Sequence, residues 1–333
     1  MRRLLVLAAT AILLAGCLLG PDYRRPQVAA PEAFQYAPKD AADTADTLWW
    51  KQFQDPVLDQ LIAEGLAHNS NIAIAAANVE QAAAVLTQTR SQLFLQLGYG
   101  ASGERQRSLE PAFAALLRDY PNPSTAYQAG LSASWEIDLW GRIRRQSEAA
   151  LANLLATDEA RRGVVLSLVA SVANSYLQLR GLDAQLAVAK KTLSAYSESV
   201  KLFELQYKYG QVSKMNVVQA QSQYESAAAQ IPLIESQIAQ TQNSLAVLIG
   251  RDPGPIARGK SVDDLVLPQV PAGVPSALLE RRPDLLQAEQ TLIAANAQIG
   301  AAKALYFPSI SLTGAFGGAS SELSNLFKGS SRV

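Results

Sequence analysis

Residues 127–139 read YQAGLSASWEIDL, and their side chains alternate between apolar and polar. The odd positions carry apolar side chains, and the polar residues at the even positions are Gln128, Ser132, Ser134, Glu136 and Asp138. A period of two is typical of a β-strand with one apolar and one polar face. The run is also close to the roughly ten residues with which a tilted strand crosses a bilayer. We therefore predict a transmembrane strand whose polar face, formed by these five residues, lines a water-filled lumen.

An upstream stretch has the same period. From Leu95 to Glu104 the odd positions are apolar or small, and the even positions are polar or glycine. We place the two strands at about 94–106 and 125–139, joined by a proline-rich loop facing the outside of the cell. Tyr127, Trp135 and Trp140 fit the aromatic residues that mark a membrane interface. A soluble β-sandwich would alternate in a similar way, so other parts of the sequence must separate the two interpretations.

The N-terminus predicts the compartment. Arg2 and Arg3 precede an apolar stretch too short to span a bilayer, as in a signal peptide. The stretch ends in Leu14-Ala15-Gly16-Cys17, the pattern of a lipobox, which predicts a signal peptide over 1–16 and a covalent lipid on Cys17. Cys17 is the only cysteine, and the alternative is an ordinary signal peptide followed by a chance cysteine. Residues 17–47 are then expected to be an extended, unstructured tether along a surface, and Leu18 favours sorting to the outer membrane.

Charge and hydropathy exclude several classes of protein. Lys plus Arg and Asp plus Glu each number 29, so the net charge is zero. Basic residues do not cluster with aromatic ones, and we expect no nucleic-acid partner. Beyond the N-terminus no run of eighteen apolar residues occurs, which excludes a transmembrane helical bundle and leaves β-structure as the means of crossing a membrane.

The middle of the chain predicts a long helical hairpin over about 142–250. Between Val165 and Tyr207 apolar residues recur every three or four positions, with one step of seven, which indicates an amphipathic helix with a coiled-coil-like seam. Residues 209–213 offer a turn, and a second helix returns, which Pro232 is expected to kink or to shift in its hydrogen bonding. The hairpin is either a solvated coiled-coil spacer or part of the wall of a helical tube.

An internal repeat with a shift of 213 residues relates two parts of the chain. Leu285 corresponds to Ile72, Phe307 to Phe94 and Leu312 to Tyr99, and in both copies a helix gives way to a strand. We assign a first repeat to 48–260 and the start of a second to 261–333, which ends where a loop after the third strand would begin. An unpaired strand in hydrocarbon leaves backbone groups unsatisfied, so we expect these 333 residues alone not to form a working channel.

Five stretches together resemble the TolC-like outer membrane factors, in particular their NodT-type lipoprotein branch. The resemblance extends over essentially the whole chain, and its motifs are LAGC at 14–17, GPDY at 20–23, WEIDLWGR at 135–142, RPDL at 282–285 with Ala288-Glu289, and KA at 303–304 with FPSISL at 307–312.

The resemblance implies a fold that is mainly α with transmembrane β. Each protomer of a homotrimer would give strands to a twelve-stranded outer-membrane β-barrel and hairpins to a periplasmic α-barrel. The hairpin tip would dock a periplasmic membrane-fusion adaptor, itself joined to an inner-membrane pump of the RND type. That tip comprises Gly210, Val212, Ser213 and Met215. Asn216 stands where the family often has aspartate, which bears on tip polarity and partner choice.

The function expected is that of a passive exit duct in a tripartite efflux system, lipid-anchored in the outer membrane and extending into the periplasm. Alternatives are the outer-membrane component of a type I secretion system and a periplasmic adaptor lipoprotein, although adaptors flank their hairpin with lipoyl-type β-domains. We expect no enzyme activity, cofactor or metal. His68 is the only histidine, and the glycine pattern of residues 98–103 lies on a predicted strand rather than in a βαβ unit.

Overall fold

The computed structural model describes residues 18–27, 48–107, 123–266 and 279–332. Cys17 and most of the predicted loop between the first two strands lie outside these residues. The described helices and strands, in chain order, are α1 Pro56–His68, α2 Ser70–Ser91, β1 Gln96–Gln106, β2 Ser124–Ile137, α3 Arg142–Lys208, α4 Lys214–Leu248, α5 Pro283–Ala304 and β3 Ile310–Ser320. None of the described helices combines the length and the apolarity needed to span a bilayer.

The chain divides into two compact units. One, the sheet unit, comprises residues up to Pro26, 80–156 and 288 onwards, and the other, the hairpin unit, comprises 27–79 and 157–287. The sheet unit contains the three strands, and the hairpin unit contains most of the paired helices α3 and α4.

The three strands form one antiparallel sheet in the order β1-β2-β3. β1 begins two residues later than expected because the amide groups of Gln92, Leu93 and Phe94 bond back to the carbonyls of α2 and prolong its last turn. β3 ends at Ser320 rather than continuing to the end of the chain. Short helical turns follow it, and the carbonyl of Leu326 lies where a side chain on Gly318 would stand, an approach that only glycine permits.

The hairpin unit has its core at the base of the paired helices. α1 packs against α3 and α4, and the fully buried side chains at this contact are Leu58, Ile62, Val172, Tyr176, Leu179, Leu245 and Ile249. Each buried aliphatic side chain contributes about 1.5–3 kcal/mol relative to an exposed one. Asn69 separates α1 from α2: its side-chain oxygen accepts from the N–H groups of Asn71 and Ile72, and its amide donates to the carbonyl of Leu248. His68 is therefore the last residue of α1, at the helix junction expected from the sequence.

α3 has 67 residues, about 100 Å at 1.5 Å per residue, and it starts well before the apolar seam used to predict it. Two contacts fix the register of α3 against α4. Glu204 accepts from Gln221 at 3.2 Å, and Lys190 pairs with Glu235 at 3.3 Å. Both pairs are symmetric about the boundary between residues 212 and 213, so the hairpin is antiparallel with its tip at that boundary. α4 continues through Pro232 without a break.

The sheet unit brings helices of the two repeats together through small side chains. Ala149 and Ala152 of α3 pack against Ala294 and Ala297 of α5. α2 and α5 have the same bounds after a shift of 213 residues, as the internal repeat predicts. Residues 18–27 are extended and form no helix or strand, and their backbone and side chains make contacts with α3 and α5 that the predicted tether along a surface did not specify.

Candidate functional site: sheet faces, strand–helix junction and hairpin tip

The sheet has one polar and one apolar face. Ser132 pairs with Gly98 and Ala315, Ser134 pairs with Gln96 and Thr313, and Gln128 pairs with Ser102 and Ala319, so polar and small residues share one side. The residues next to Ser132 in register are large and apolar and lie on the other side: Tyr99, Leu131 and Phe316, which are 91%, 62% and 66% exposed. A row of exposed apolar side chains across three strands is what contact with lipid requires, and an exposed polar row is what contact with water requires.

Glu136 and Asp138, the other two residues predicted to face the lumen, have partners at the end of β2. Glu136 accepts two hydrogen bonds from the guanidinium of Arg142, at 3.1 and 2.6 Å. Asp138 accepts from the backbone N–H groups of Ile143 and Arg144, each at 3.0 Å, so its carboxylate caps the N-terminus of α3. Both acids therefore hold the junction between strand and helix, and their predicted place at a water-filled lumen stays a prediction.

Two tryptophans fix the equivalent turns of the two repeats. The indole N–H of Trp135 donates to the carbonyl of Leu93, after α2, and that of Trp140 donates to the carbonyl of Pro308, after α5, both at 2.9 Å. Trp140 also stacks on Phe307, with ring centroids 4.6 Å apart. Sequence analysis identified these residues as interfacial aromatics but missed their hydrogen bonds, because the acceptors lie 42 and 168 residues away.

The hairpin tip places the predicted docking residues together at the surface. Gly210 has φ +72°, the left-handed conformation that ends a helix, and no atom lies within 4 Å of where a side chain would begin. Ser213 donates to the side-chain oxygen of Asn216 at 2.7 Å, which closes the first turn of α4. Met215 and Tyr209 are 77% and 69% exposed, and Val212 is half-buried. The tip thus offers an apolar surface at one end of the hairpin, and docking there stays a prediction.

A buried polar cluster in the hairpin unit was not predicted. Asp55 is 1% exposed and accepts from the N–H of Val57, the hydroxyl of Tyr176 and the N–H of Lys260. Burial and the hydrogen bond to Asp55 raise the pKa of Tyr176 to about 12. The Asp-Pro pair at 55–56 signalled a helix start, but nothing local indicated the tyrosine 121 residues away. Among the described residues no group of His, Cys, Asp and Glu is arranged to hold a metal ion.

An exposed two-faced sheet that leads through a capped junction into a helix of 67 residues defines the protomer of an outer-membrane channel. Comparison with known proteins agrees. The family model described as "Outer membrane efflux protein" matches residues 61–251 and 274–333. The chain belongs to this family.

Named relatives match over nearly the whole chain. The toluene efflux pump outer membrane protein TtgC of Pseudomonas putida is 40% identical over 336 residues, 98% of this chain and 69% of that protein. The cation efflux system protein CusC of Escherichia coli (strain K12) is 36% identical over 327 residues, 96% of this chain and 70% of that protein. The chain is therefore an efflux-system channel subunit of the outer membrane that works with other components of an efflux pump.

Solved structures share the fold. The outer-membrane channel OprN superposes with a TM-score of 0.82 at 31% identity, covering 95% of this chain and 71% of that one. The open state of the Neisseria gonorrhoeae MtrE outer membrane channel gives a TM-score of 0.80 at 34% identity, covering 95% of this chain and 70% of that one. The prediction of helical hairpins joined to a β domain in a duplicated channel fold is confirmed.

Proposed function

We propose that the chain is the protomer of a homotrimeric exit duct, without catalysis of its own, through which an inner-membrane pump expels its cargo. The observation that carries the proposal is the division of the sheet into a polar and an apolar face. Leu131 and Ser132 are neighbours in β2 and point to opposite sides, as adjacent residues of a strand must. On this proposal Leu131 contacts lipid and Ser132 contacts water in a trimeric β-barrel.

Labelling these two neighbours tests the proposal. Leu131→Cys and Ser132→Cys are made separately in the full-length protein and probed in outer-membrane fractions. We expect a water-soluble maleimide to modify position 132 and to reduce single-channel conductance, and we expect a label at position 131 to be quenched by nitroxide-bearing lipid. The reverse pattern, or the absence of a heat-stable trimer from these fractions, would overturn the proposal.

The tip of the hairpin is the proposed docking site for a periplasmic membrane-fusion adaptor. Its exposed apolar side chains, among them Tyr209 and Met215, lie at the end of α3 and α4 where an end-on partner has access. Val212→Cys is expected to crosslink to an adaptor in cells, whereas Ser236→Cys, exposed farther along α4, serves as the matched control. Crosslinks from position 212 only to inner-leaflet or cytoplasmic proteins would rule out this docking.

The pump is proposed to be of the RND type and to select the cargo. Relatives with similar identity to this chain are named for toluene in one case and for cations in another, which supports a channel that does not itself discriminate. Affinity purification of the intact protein tests the pump type. Recovery of an RND transporter supports the proposal, and recovery of an ABC exporter would instead indicate type I secretion.

A covalent lipid on Cys17 is proposed to anchor the N-terminus in the outer membrane. The lipobox at residues 14–17 supports this assignment. Radiolabelled palmitate is expected to enter the wild-type protein and not Cys17→Ser. Incorporation into Cys17→Ser would place the lipid elsewhere.

A further inference from the structure

The sheet has an end remote from the strand–helix junction, called the outer end below. There β1 finishes at Gln106, β2 begins at Ser124 and β3 finishes at Ser320. β2 runs from this end toward its junction with α3. On the proposed function α3 enters the periplasm, so the outer end lies in the outer leaflet of the membrane and the apolar face of the sheet contacts lipid there.

The apolar face has a depression near its outer end. Its floor is a row of small residues that pair across the three strands, Ala101, Ala129 and Gly318. The next row toward the junction is formed by large side chains, those of Tyr99, Leu131 and Phe316. On the other side of the floor stands Tyr127, whose ring covers Gly103, since a side-chain carbon there would lie 3.1 Å from it. Large side chains therefore border the floor on two sides.

Residues 321–332 fold back on β3 and close a third side. Arg332 pairs with Gly318 in an antiparallel bridge, and the carbonyl of Leu326 packs against the same glycine. Leu326 is buried, whereas the ring of Phe327 beside it is 81% exposed. The result is a cleft of about 440 Å³, called the outer cleft, whose larger lining residues are Leu131, Phe316, Leu326, Phe327 and Arg332. Sites for small ligands have volumes of roughly 300–1,000 Å³.

The charge beside this apolar cleft is positive. Arg332 is exposed, as is Arg105, which lies on the same side of β1 two positions beyond Gly103. Within the described ranges neither arginine forms an ion pair with a carboxylate. Glu322, the acid of the folded-back segment, instead accepts from the side chain of Asn325 at 2.8 Å. A guanidinium binds phosphate through paired hydrogen bonds, so the cleft and its arginine match a ligand with both hydrocarbon and phosphate.

We propose that the outer cleft binds an anionic membrane lipid with a phosphate-bearing headgroup. A hydrocarbon chain of the lipid lies against Leu131, Phe316 and Phe327. A phosphate of its headgroup meets Arg332, and Arg105 adds a second positive charge to the headgroup layer. The inference rests on the proposed function, because a lipid reaches the cleft only where the apolar face meets the membrane. The sheet then selects a lipid by its charge, beyond the general contact of an apolar face with a bilayer.

Removing the charge of Arg332 tests the headgroup contact. Lipid A, which combines phosphate with several acyl chains, is titrated onto the full-length protein in detergent, and bound lipid is counted by native mass spectrometry. We expect Arg332→Gln to weaken binding by about fivefold, the effect of one arginine at an anionic lipid surface. Arg90→Gln is the matched control, since this exposed arginine ends α2 at the opposite end of β1. Equal affinities of the two variants would overturn the proposal.

Filling the floor of the cleft tests the chain contact. Ala129→Leu places added carbons where about two methylenes of the chain would lie, and we expect about tenfold weaker binding of lipid A. Ala133→Leu, on the same face of β2 but outside the cleft, is the matched control and should bind as wild type does. If Ala129→Leu does not assemble, Phe327→Ser removes an exposed wall of the cleft instead. Wild-type affinity in the assembled variant would exclude the cleft as the site.

Other ligands show what is recognised. Phosphatidylcholine, which has no net charge, is expected to bind more weakly than lipid A, and equal affinity would overturn the selection by charge. Inorganic phosphate is expected not to displace lipid A, and displacement would show that a free anion is the ligand.

The label at Leu131→Cys separates this inference from the proposed function. Quenching of that label by nitroxide-bearing lipid, together with unchanged binding of lipid A in every variant, would overturn the lipid site and leave the proposed function intact. A label at position 131 that is shielded by protein and not quenched would overturn both, because another part of the assembly would then fill the cleft.

Discussion

The hydroxyl of Tyr176 donates to the Oδ2 atom of Asp55 across 2.7 Å and accepts from the N–H of Gly259 at 2.9 Å. One side chain on α3 thereby joins the start of α1 to the segment after α4, three parts of the hairpin unit that are remote in sequence. A side chain on Gly259 would overlap the carboxylate of Asp55. The backbone after α4 can therefore approach Asp55 this closely only with glycine at position 259.

Tyr176→Phe is expected to destabilise the protein by about 1–3 kcal/mol, because it removes a donor to a buried carboxylate and leaves the N–H of Gly259 without its acceptor. Urea unfolding of the detergent-solubilised protein measures the change. Tyr207→Phe, at a tyrosine of the same helix that is 47% exposed, is the control and is expected to be neutral. Equal stability of both variants would show that the cluster contributes nothing.

Alkaline pH is expected to weaken the same contact. Burial and the hydrogen bond to Asp55 raise the pKa of Tyr176 to about 12, above its ordinary value of 10.0, so the folded protein retains a proton that the unfolded chain releases. The contribution to stability is complete below pH 10 and is lost as the pH rises toward 12. Melting temperatures of wild type and Tyr176→Phe should therefore converge over this interval, and parallel curves would contradict the assignment.

Gly210→Ala is expected to destabilise the hairpin tip by about 1 kcal/mol, because alanine at φ +72° is strained although nothing obstructs it. Gly181→Ala, also in open space but within α3, should be neutral or slightly stabilising because its conformation is helical. Hydrogen exchange at residues 208–216 reports the difference. Protection that is unchanged in Gly210→Ala would indicate that the turn tolerates another conformation.

Trp140→Phe is expected to loosen the turn after α5, because the indole N–H that bonds the carbonyl of Pro308 is lost while part of the stacking on Phe307 remains. The cost should be about 1 kcal/mol. Trp50→Phe, at a half-buried residue in the hairpin unit, is the control. We expect heat-induced loss of the proposed trimer at a lower temperature only in Trp140→Phe, as measured by the mobility of unheated and heated samples on gels.

Short-range patterns in the sequence predicted the elements well. Alternation placed β1 and β2 within two residues of Gln96–Gln106 and Ser124–Ile137, because the period of side chains along a strand is set locally. The seam placed the hairpin correctly, and the turn around Gly210 located its tip. The first part of α3 has no such seam, and there only tertiary packing on α5 shows which face is buried.

Alternation along the sequence did not predict the hydrogen-bond partners of polar side chains. Glu136 and Asp138 occupy even positions, like the residues of the polar face, and this alternation predicts that they contact water. In the structure Glu136 instead pairs with Arg142, and Asp138 caps the N-terminus of α3. The residue that caps α3 follows the last residue of β2, and the alternation of side chains does not show where β2 ends. The predicted tether along a surface left its partners open at residues 18–25 for a related reason, since a proline-rich composition indicates an extended chain but not the side chains that bind it.

The sequence by itself determined the periods, the repeat and the family, because each depends on residues close together or on a fixed shift of 213 positions. Only the tertiary structure decided which buried polar groups meet. Arg145 with Asp22 and Tyr176 with Asp55 are separated by 123 and 121 residues. Such contacts cannot be recognised from neighbouring residues, since a buried charge is stabilised by whichever donors or acceptors the completed fold brings within hydrogen-bonding distance.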